Sequence, residues 1–126
     1  MASGGILCEV MMAANSESLI QGEILEYLRL RGVFCWRNNS GVARTGGRFI
    51  RFGSPGAPDI LGILPDGRFL GIEVKTPTGI VSEDQEAFHE AATRSGALVF
   101  TAWSLDCARA WLDDILAQVE ASFAPD

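Results

Sequence analysis

Three charged residues near the middle of the 126-residue chain have the types and spacing of a catalytic site. Asp59 begins one apolar run, and Glu73 and Lys75 end the next, with the turn sequence Pro65-Asp66-Gly67 between the two runs. This pattern predicts a β-hairpin in which Asp59 and Glu73 lie side by side at one end. Glu73 and Lys75 are two residues apart on a strand and therefore project from the same face. We expect the three charges to converge.

The chemistry that such a cluster supports is phosphate ester hydrolysis with a divalent ion. Two carboxylates among apolar strand residues need a compensating cation, and Mg²⁺ or Mn²⁺ prefers oxygen ligands and keeps several waters. Lys75 beside the ion would orient water or stabilise developing negative charge. A salt bridge between Lys75 and Asp59 or Glu73 across the hairpin explains the same pattern, and the triplet alone does not decide between the two interpretations.

The flanking sequence predicts the elements that position these residues. Helical periodicity, caps and turn residues indicate a helix from Glu17 to Gly32, strands at 33–37 and 48–52, a loop at 38–47, the hairpin at 59–75, a helix opened by a Ser82/Gln85 capping box and ending at Ser95, a strand at 97–103 and a last helix at 104–123. The prediction is a single α/β domain over residues 16–123, with a mixed central sheet flanked by helices in the order αβββαβα. Residues 1–15 are expected to be a flexible leader and 124–126 a tail.

Charge is distributed unevenly along the chain. The net charge is −6, which argues against a general nucleic-acid coat protein. Residues 28–58, however, contain six arginines and no acid, whereas the rest carries four basic residues and sixteen acids, a net charge of −12. The basic segment leads directly into Asp59. We interpret its later arginines as candidate phosphate contacts, although a solvated charged face is equally consistent with any one of them: Arg37, Arg44, Arg48 and Arg51.

Other classes of site are not supported by the sequence. Three widely spaced cysteines and the single His89 form no zinc-ligand spacing, no disulfide framework and no Ser-His-Asp or Cys-His set. No apolar run approaches the roughly 20 residues of a membrane span. We expect a cytoplasmic protein without a membrane partner. Five aromatic residues are predicted to be in the core (Trp36, Phe69, Phe100, Trp103 and Trp111), whereas Phe49 and Phe52 alternate with arginines and are candidates to contact bases.

Five blocks of sequence together resemble the virus-type replication-repair nuclease (VRR-NUC) domains of the PD-(D/E)xK nuclease superfamily. The blocks are Glu17-Ser18-Leu19-Ile20-Gln21, Trp36-Arg37-Asn38-Asn39-Ser40-Gly41, Gly53-x-x-Gly56-x-Pro58-Asp59-Ile60, Ile72-Glu73-Val74-Lys75 and Ser82-x-x-Gln85-x-x-Phe88. The resemblance extends over residues 16–114. The chain is also similar to archaeal Holliday-junction resolvases, which have the same core. The resemblance implies a restriction-endonuclease-like fold.

The resemblance also implies residue roles. Asp59 and Glu73 would be metal-binding carboxylates, the Val74 carbonyl a third ligand, and Lys75 the catalytic lysine. Glu17 would be the helix acid that reaches the metal directly or through water. Glu23 is the competing candidate, and Glu17 is preferred because apolar residues follow it at helical spacing on the inward face.

Two polar residues complete the implied site. Gln85 would lie near the scissile phosphate, which is compatible with its role in the capping box. Ser40 would line the site, although an ordinary turn residue is an equally good interpretation.

The implied activity is a Mg²⁺- or Mn²⁺-dependent DNA endonuclease. We expect selectivity for branched DNA, such as Holliday junctions or flaps, in replication, recombination or repair in a bacterium or phage. Cutting both sides of a junction requires two sites, so a homodimer is expected. The alternatives are a non-catalytic DNA-binding module that retains the nuclease fold and, less favoured because no nucleotide-binding loop is visible, an RNA- or nucleotide-processing enzyme.

Overall fold

The computed structural model describes residues 17–38 and 41–123, without the side chains of residues 41–43, 45 and 50–52. The first helix, α1, covers residues 17–30. The other elements are β1 (Phe34–Arg37), β2 (Gly41–Thr45), β3 (Arg48–Phe52), β4 (Ile60–Ile63), β5 (Phe69–Val74), α2 (Glu83–Arg94), β6 (Leu98–Ala102) and α3 (Leu105–Ser122). The predicted leader at 1–15, the tail at 124–126 and Ser40 lie outside the described residues.

Four strands form the main sheet, in the order β1-β4-β5-β6. β4 pairs with β1 and β5 antiparallel, whereas β5 and β6 are parallel because α2 connects them as a crossover. With the helices, these strands follow the order αβββαβα, so the predicted mixed sheet and its order are confirmed. The capping box at the start of α2 is also present: Ser82 Oγ accepts from the Gln85 N–H, and Gln85 Oε1 accepts from the Ser82 N–H.

A separate two-stranded ribbon lies between β1 and β4 in the chain, and it corrects the prediction of a loop over residues 38–47. β2 pairs antiparallel with β3 from Gly41↔Phe52 to Thr45↔Arg48. The turn is made by Gly46 and Gly47, whose φ angles of +59° and +77° are readily adopted only by glycine. The glycine-rich composition that indicated a loop is therefore the composition of a tight hairpin turn.

The core is formed by apolar residues of α1, α3 and the main sheet. The largest fully buried side chains in it are Ile24, Leu28, Ile60, Leu64, Leu70, Ile72, Leu112 and Leu116. A polar network joins α1 to α3 at the edge of this core. The Arg31 guanidinium donates to Asp113 Oδ1 at 2.9 Å and to Glu120 Oε1 at 3.3 Å, and the Tyr27 hydroxyl also donates to Asp113. Arg31 is therefore engaged in packing helices, and not in a free basic surface.

Two of the five aromatic residues predicted to be core are exposed, and a third, Phe69, does not pack against the core cluster. Trp36 is 37% exposed and Trp103 is 44% exposed. Trp36 lies on β1, an edge strand, and Trp103 follows the last residue of β6, so neither is enclosed by neighbours on all sides. Phe100 and Trp111 are partly buried, with ring centroids 3.9 Å apart, and Phe69 is also partly buried. Among the described residues, no helix combines the length and apolar character needed to span a membrane.

Candidate active site

The hairpin of β4 and β5 brings Asp59 and Glu73 to the same end of the main sheet. Ile60 pairs with Ile72, so the residue before Ile60 faces the residue after Ile72. The Asp59 carboxylate accepts a hydrogen bond from the Val74 N–H, with 2.8 Å between Oδ2 and N. The side chain of Asp59 is thus fixed against the strand that carries Glu73, as the spacing predicts.

Backbone contacts also fix the segment that carries Asp59. Pro58 is fully buried, and a Cβ on Gly71 would lie 2.8 Å from Pro58 Cγ, so the proline packs directly on the glycine of β5. The Asn38 N–H donates to the Asp59 carbonyl at 2.8 Å, and Asn38 Nδ2 donates to the Pro58 carbonyl at 3.1 Å. Asn38 therefore positions the segment that carries Asp59. The sequence places Asn38 in the block Trp36-Arg37-Asn38 but does not indicate this role.

The turn before Pro58 packs on the first residues of α2. Gly56 has a φ of +77°, and a Cβ on it would lie 2.1 Å from the Asp84 carbonyl oxygen. Only a residue without a side chain permits this approach. The contact holds the start of α2, which carries Gln85, beside the Asp59 segment.

Glu73 is the one buried charged residue among those that the structure describes, with 3% of its surface exposed. Its Oε1 accepts a hydrogen bond from Gln85 Nε2 at 3.0 Å. Its Oε2 is buried and has no hydrogen-bond partner in the described part of the chain. An ionised carboxylate oxygen that is buried without a partner is costly, and a cation bound between Glu73 and Asp59 would compensate this cost.

The environment of Glu73 disfavours its negative charge. Burial raises the pKa of Glu73 most, the neighbouring Asp59 carboxylate raises it further, and Lys75 opposes both, so that the pKa is about 8. A divalent cation bound to both carboxylates would remove this penalty. The two acids supply only oxygen ligands, which is the donor set that Mg²⁺ and Mn²⁺ prefer.

Lys75 directly follows β5, and a hydrogen bond fixes its backbone, whereas its ammonium makes no ion pair with the described residues. Its N–H donates to the Ala102 carbonyl at 3.0 Å, and its aliphatic stem packs near Gly79, where a Cβ would lie 3.2 Å from Lys75 Cδ. Among the described residues, no carboxylate lies within ion-pair distance of the Lys75 ammonium. This geometry argues against the salt-bridged hairpin as the explanation for the triplet.

The two candidate helix acids are both exposed on α1. Glu17 is near enough for its charge to raise the pKa of Glu73 slightly, but no group of three His, Cys, Asp or Glu side chains within residues 17–38 and 41–123 is compact enough to hold a metal. Glu23 instead lines a shallow surface pocket with Leu105 and Arg109 of α3. Glu17 therefore remains the acid of α1 that is predicted to bind the metal, and this binding stays a prediction.

The residues proposed to contact DNA differ in whether hydrogen bonds within the protein already hold their side chains. Arg37 donates to Gln21 Oε1 at 2.6 Å and to the Ser18 carbonyl at 3.1 Å, so it holds the start of α1 against β1. Arg44 and Arg48 are exposed on the ribbon. The side chain of Arg51 and all of Ser40 lie outside the described residues, and their predicted contacts stay predictions.

Replacing Glu73 with glutamine is expected to stabilise the metal-free protein at pH 8 by about 1 to 4 kcal/mol, and much less at pH 5. Because the pKa of Glu73 is near 8 in the folded chain and ordinary in the unfolded chain, the folded state binds more protons between about pH 4.5 and 8. Rising pH over this window therefore destabilises the wild type, and glutamine removes that dependence. Denaturant unfolding in the presence of a chelator measures it.

The matched control is Glu90→Gln, because Glu90 is exposed on α2 and pairs only with Arg94. Its difference from the wild type should stay within about 0.5 kcal/mol at both pH values. An equal effect of Glu73→Gln at pH 5 and pH 8, or a loss of stability at pH 8, would contradict the description of Glu73.

Comparison with known proteins gives one family match and one match to a solved structure. A family model described as "VRR-NUC domain" matches residues 15–104. A solved structure titled "VRR_NUC domain" is similar to the chain with a TM-score of 0.51 and 24% sequence identity, over 86% of this chain and 97% of that one. At that identity, the structural match supports the restriction-endonuclease-like α/β fold alone. No curated protein matches the sequence.

Proposed function

The chain belongs to the VRR-NUC nuclease family, and from this membership we propose that it is a divalent-metal-dependent DNA endonuclease. The observation that carries the proposal is the state of Glu73. A carboxylate that is 3% exposed, adjacent to a second carboxylate and without a partner for one oxygen, is poorly explained as a structural group. It is well explained as one of two carboxylates that bind a metal ion.

The residues that would hold Mg²⁺ or Mn²⁺ are Asp59, Glu73 and the carbonyl of Val74, with Glu17 as a further oxygen donor. When bound, such an ion lowers the pKa of water and neutralises charge on a phosphate oxygen. One hydrogen bond orients each of these two carboxylates, from the Val74 N–H to Asp59 and from Gln85 Nε2 to Glu73, which supports the assignment.

Lys75 and Gln85 would act on the substrate itself. Lys75 directly follows the strand that carries Glu73, and its ammonium has no ion-pair partner among the described residues, so it is available to donate to a phosphate oxygen as negative charge develops there. Gln85 has one amide proton engaged with Glu73 Oε1, which leaves the second available to the phosphate. Neither role requires a covalent intermediate.

Arginines of the ribbon would supply the phosphate contacts. Arg44 and Arg48 are exposed. We propose Arg37, Arg51 and Ser40 as further DNA contacts on the basis of the sequence alone. Because the chain carries a net charge of −6, DNA binding is expected to be modest, salt-dependent and assisted by the divalent ion. We further propose branched DNA, such as junctions or flaps in replication, recombination or repair, as the substrate, and a homodimer as the form that cuts a junction.

The test is cleavage of a four-way junction, a flap and a linear duplex by the wild type with Mg²⁺, with Mn²⁺ and with a chelator. We expect cleavage only with a divalent ion, fastest on a branched substrate, and none by Asp59→Ala. No cleavage of any DNA with either ion would overturn the proposal. Salt-sensitive DNA binding without cleavage would instead support a non-catalytic binding module.

A further inference from the structure

The tip of the ribbon combines an exposed aromatic ring with two arginines. Phe49 is 73% exposed, more than any other aromatic residue that the structure describes. It pairs across the ribbon with Arg44, whose guanidinium carbon lies 5.4 Å from the centre of the Phe49 ring, and Arg48 precedes it in the chain. Both arginines are exposed. An apolar ring with a cationic border is thus presented to solvent.

This combination is suited to one kind of partner. An exposed ring gains free energy when another apolar surface covers it, and the two arginines favour a partner that carries negative charge. A nucleic-acid base supplies a flat surface next to a phosphate, and stacking on an aromatic ring is independent of base identity. In a duplex, the base faces are covered by neighbouring pairs. An unpaired base, as in a flap, offers a free face to Phe49.

The position of the ribbon relative to Asp59 relates this contact to the active site. The chain enters the ribbon after Asn38 and leaves it before β4, and the Asn38 N–H donates to the Asp59 carbonyl. The ribbon is thus connected on one side to Asn38, which bonds the Asp59 segment, and on the other side, through residues 53–58, to Asp59 itself. A strand of five residues extends over about 17 Å, so the ribbon is long enough to contact DNA a few nucleotides from a phosphate at Asp59.

We propose that Phe49 stacks on an unpaired DNA base, with Arg44 and Arg48 on the adjacent phosphates, and that this contact gives the site a preference for flaps with unpaired bases over fully paired DNA. The inference rests on the proposed function, because it names the feature of DNA that the same enzyme recognises. Phe49 is a specificity-determining residue in this proposal and takes no part in the chemistry.

The test measures DNA binding by Phe49→Ala in a Lys75→Met background with Mg²⁺, where cleavage is slow. The ligands are a flap with unpaired bases and a fully paired duplex of equal length, the flap carrying 2-aminopurine at its first unpaired position. We expect Phe49→Ala to weaken flap binding about 5- to 100-fold, to change duplex binding less than about 2-fold, and to abolish the 2-aminopurine fluorescence change. Phe49→Trp should retain all three properties of the parent.

Phe123→Ala is the control, because Phe123 is also exposed, at 63%, but follows the end of α3. It should bind both DNAs as the parent does. The inference is overturned if Phe49→Ala keeps the preference for the flap, or if it weakens binding of both DNAs by the same factor. These outcomes can be distinguished from a failure of the proposed function. If the wild type cleaves DNA but Phe49→Ala keeps the same preference, only the stacking role of Phe49 is contradicted. If the wild type does not cleave DNA, the proposed enzyme activity itself is contradicted.

Discussion

Replacing Lys75 with methionine is expected to slow metal-dependent DNA cleavage at least about 100-fold and to leave the fold nearly unchanged. Methionine keeps the aliphatic stem that packs near Gly79, and no carboxylate among the described residues loses an ion pair. The loss is therefore confined to the positive charge at the phosphate. Single-turnover cleavage of a branched DNA with saturating enzyme measures the effect on the chemical step.

Two further variants separate charge at this position from charge elsewhere. Lys75→Arg retains a cation with a planar, longer head group, and it should recover only a small part of the rate. Arg94→Met removes an exposed cation that pairs with Glu90 on α2, and it should cleave at the wild-type rate. A Lys75→Met rate within a few-fold of the wild type would show that the lysine is not part of the catalytic machinery.

Replacing Gly56 with alanine is expected to destabilise the protein by at least about 3 kcal/mol and to reduce cleavage in whatever fraction remains folded. Two causes combine. A φ of +77° is strained for alanine, and its Cβ would lie 2.1 Å from the Asp84 carbonyl oxygen. Because this oxygen belongs to the backbone, no side-chain rotation can relieve the clash. The start of α2 must therefore shift from the Asp59 segment, and Gln85 shifts with it away from Glu73.

Gly67→Ala is the matched control for the strain alone. Gly67 has a φ of +92° in the turn between β4 and β5, and nothing lies within 4 Å of the position of an added Cβ. It should cost about 1 kcal/mol and leave cleavage intact. Denaturant unfolding of both variants, followed by cleavage at a temperature where each is folded, gives the comparison. Equal losses of stability would show that the contact of Gly56 with α2 is unimportant.

The sequence was sufficient to predict the parts of the site that depend on local patterns. Alternating apolar runs with a Pro-Asp-Gly turn predicted the hairpin, and the hairpin in turn places Asp59 beside Glu73 because strand pairing is set by the turn. The Ser82 capping box predicted the start of α2 for a similar reason, since the hydrogen bonds concerned are made within three residues.

The parts that were missed depend on contacts between segments distant in sequence. Asn38 is a site-positioning residue only because β1 lies beside β4, and Gly56 matters only because α2 packs on the turn that contains it. Arg31 and Arg37 were counted among six similar arginines, but partners on α3 and α1 engage them in packing. The ribbon was missed because a glycine-rich hairpin turn has the same composition as a loop.

The most direct test of the metal site is a crystal structure of the protein soaked with Mn²⁺, with the ion located by its anomalous scattering. We predict one Mn²⁺ per chain, bonded to both the Asp59 and Glu73 carboxylates, with Glu17 oriented towards it. A Mn²⁺ ion bound elsewhere, or none between Asp59 and Glu73 in crystals of protein that cleaves DNA in Mn²⁺, would contradict the assignment of these two acids as the catalytic metal ligands.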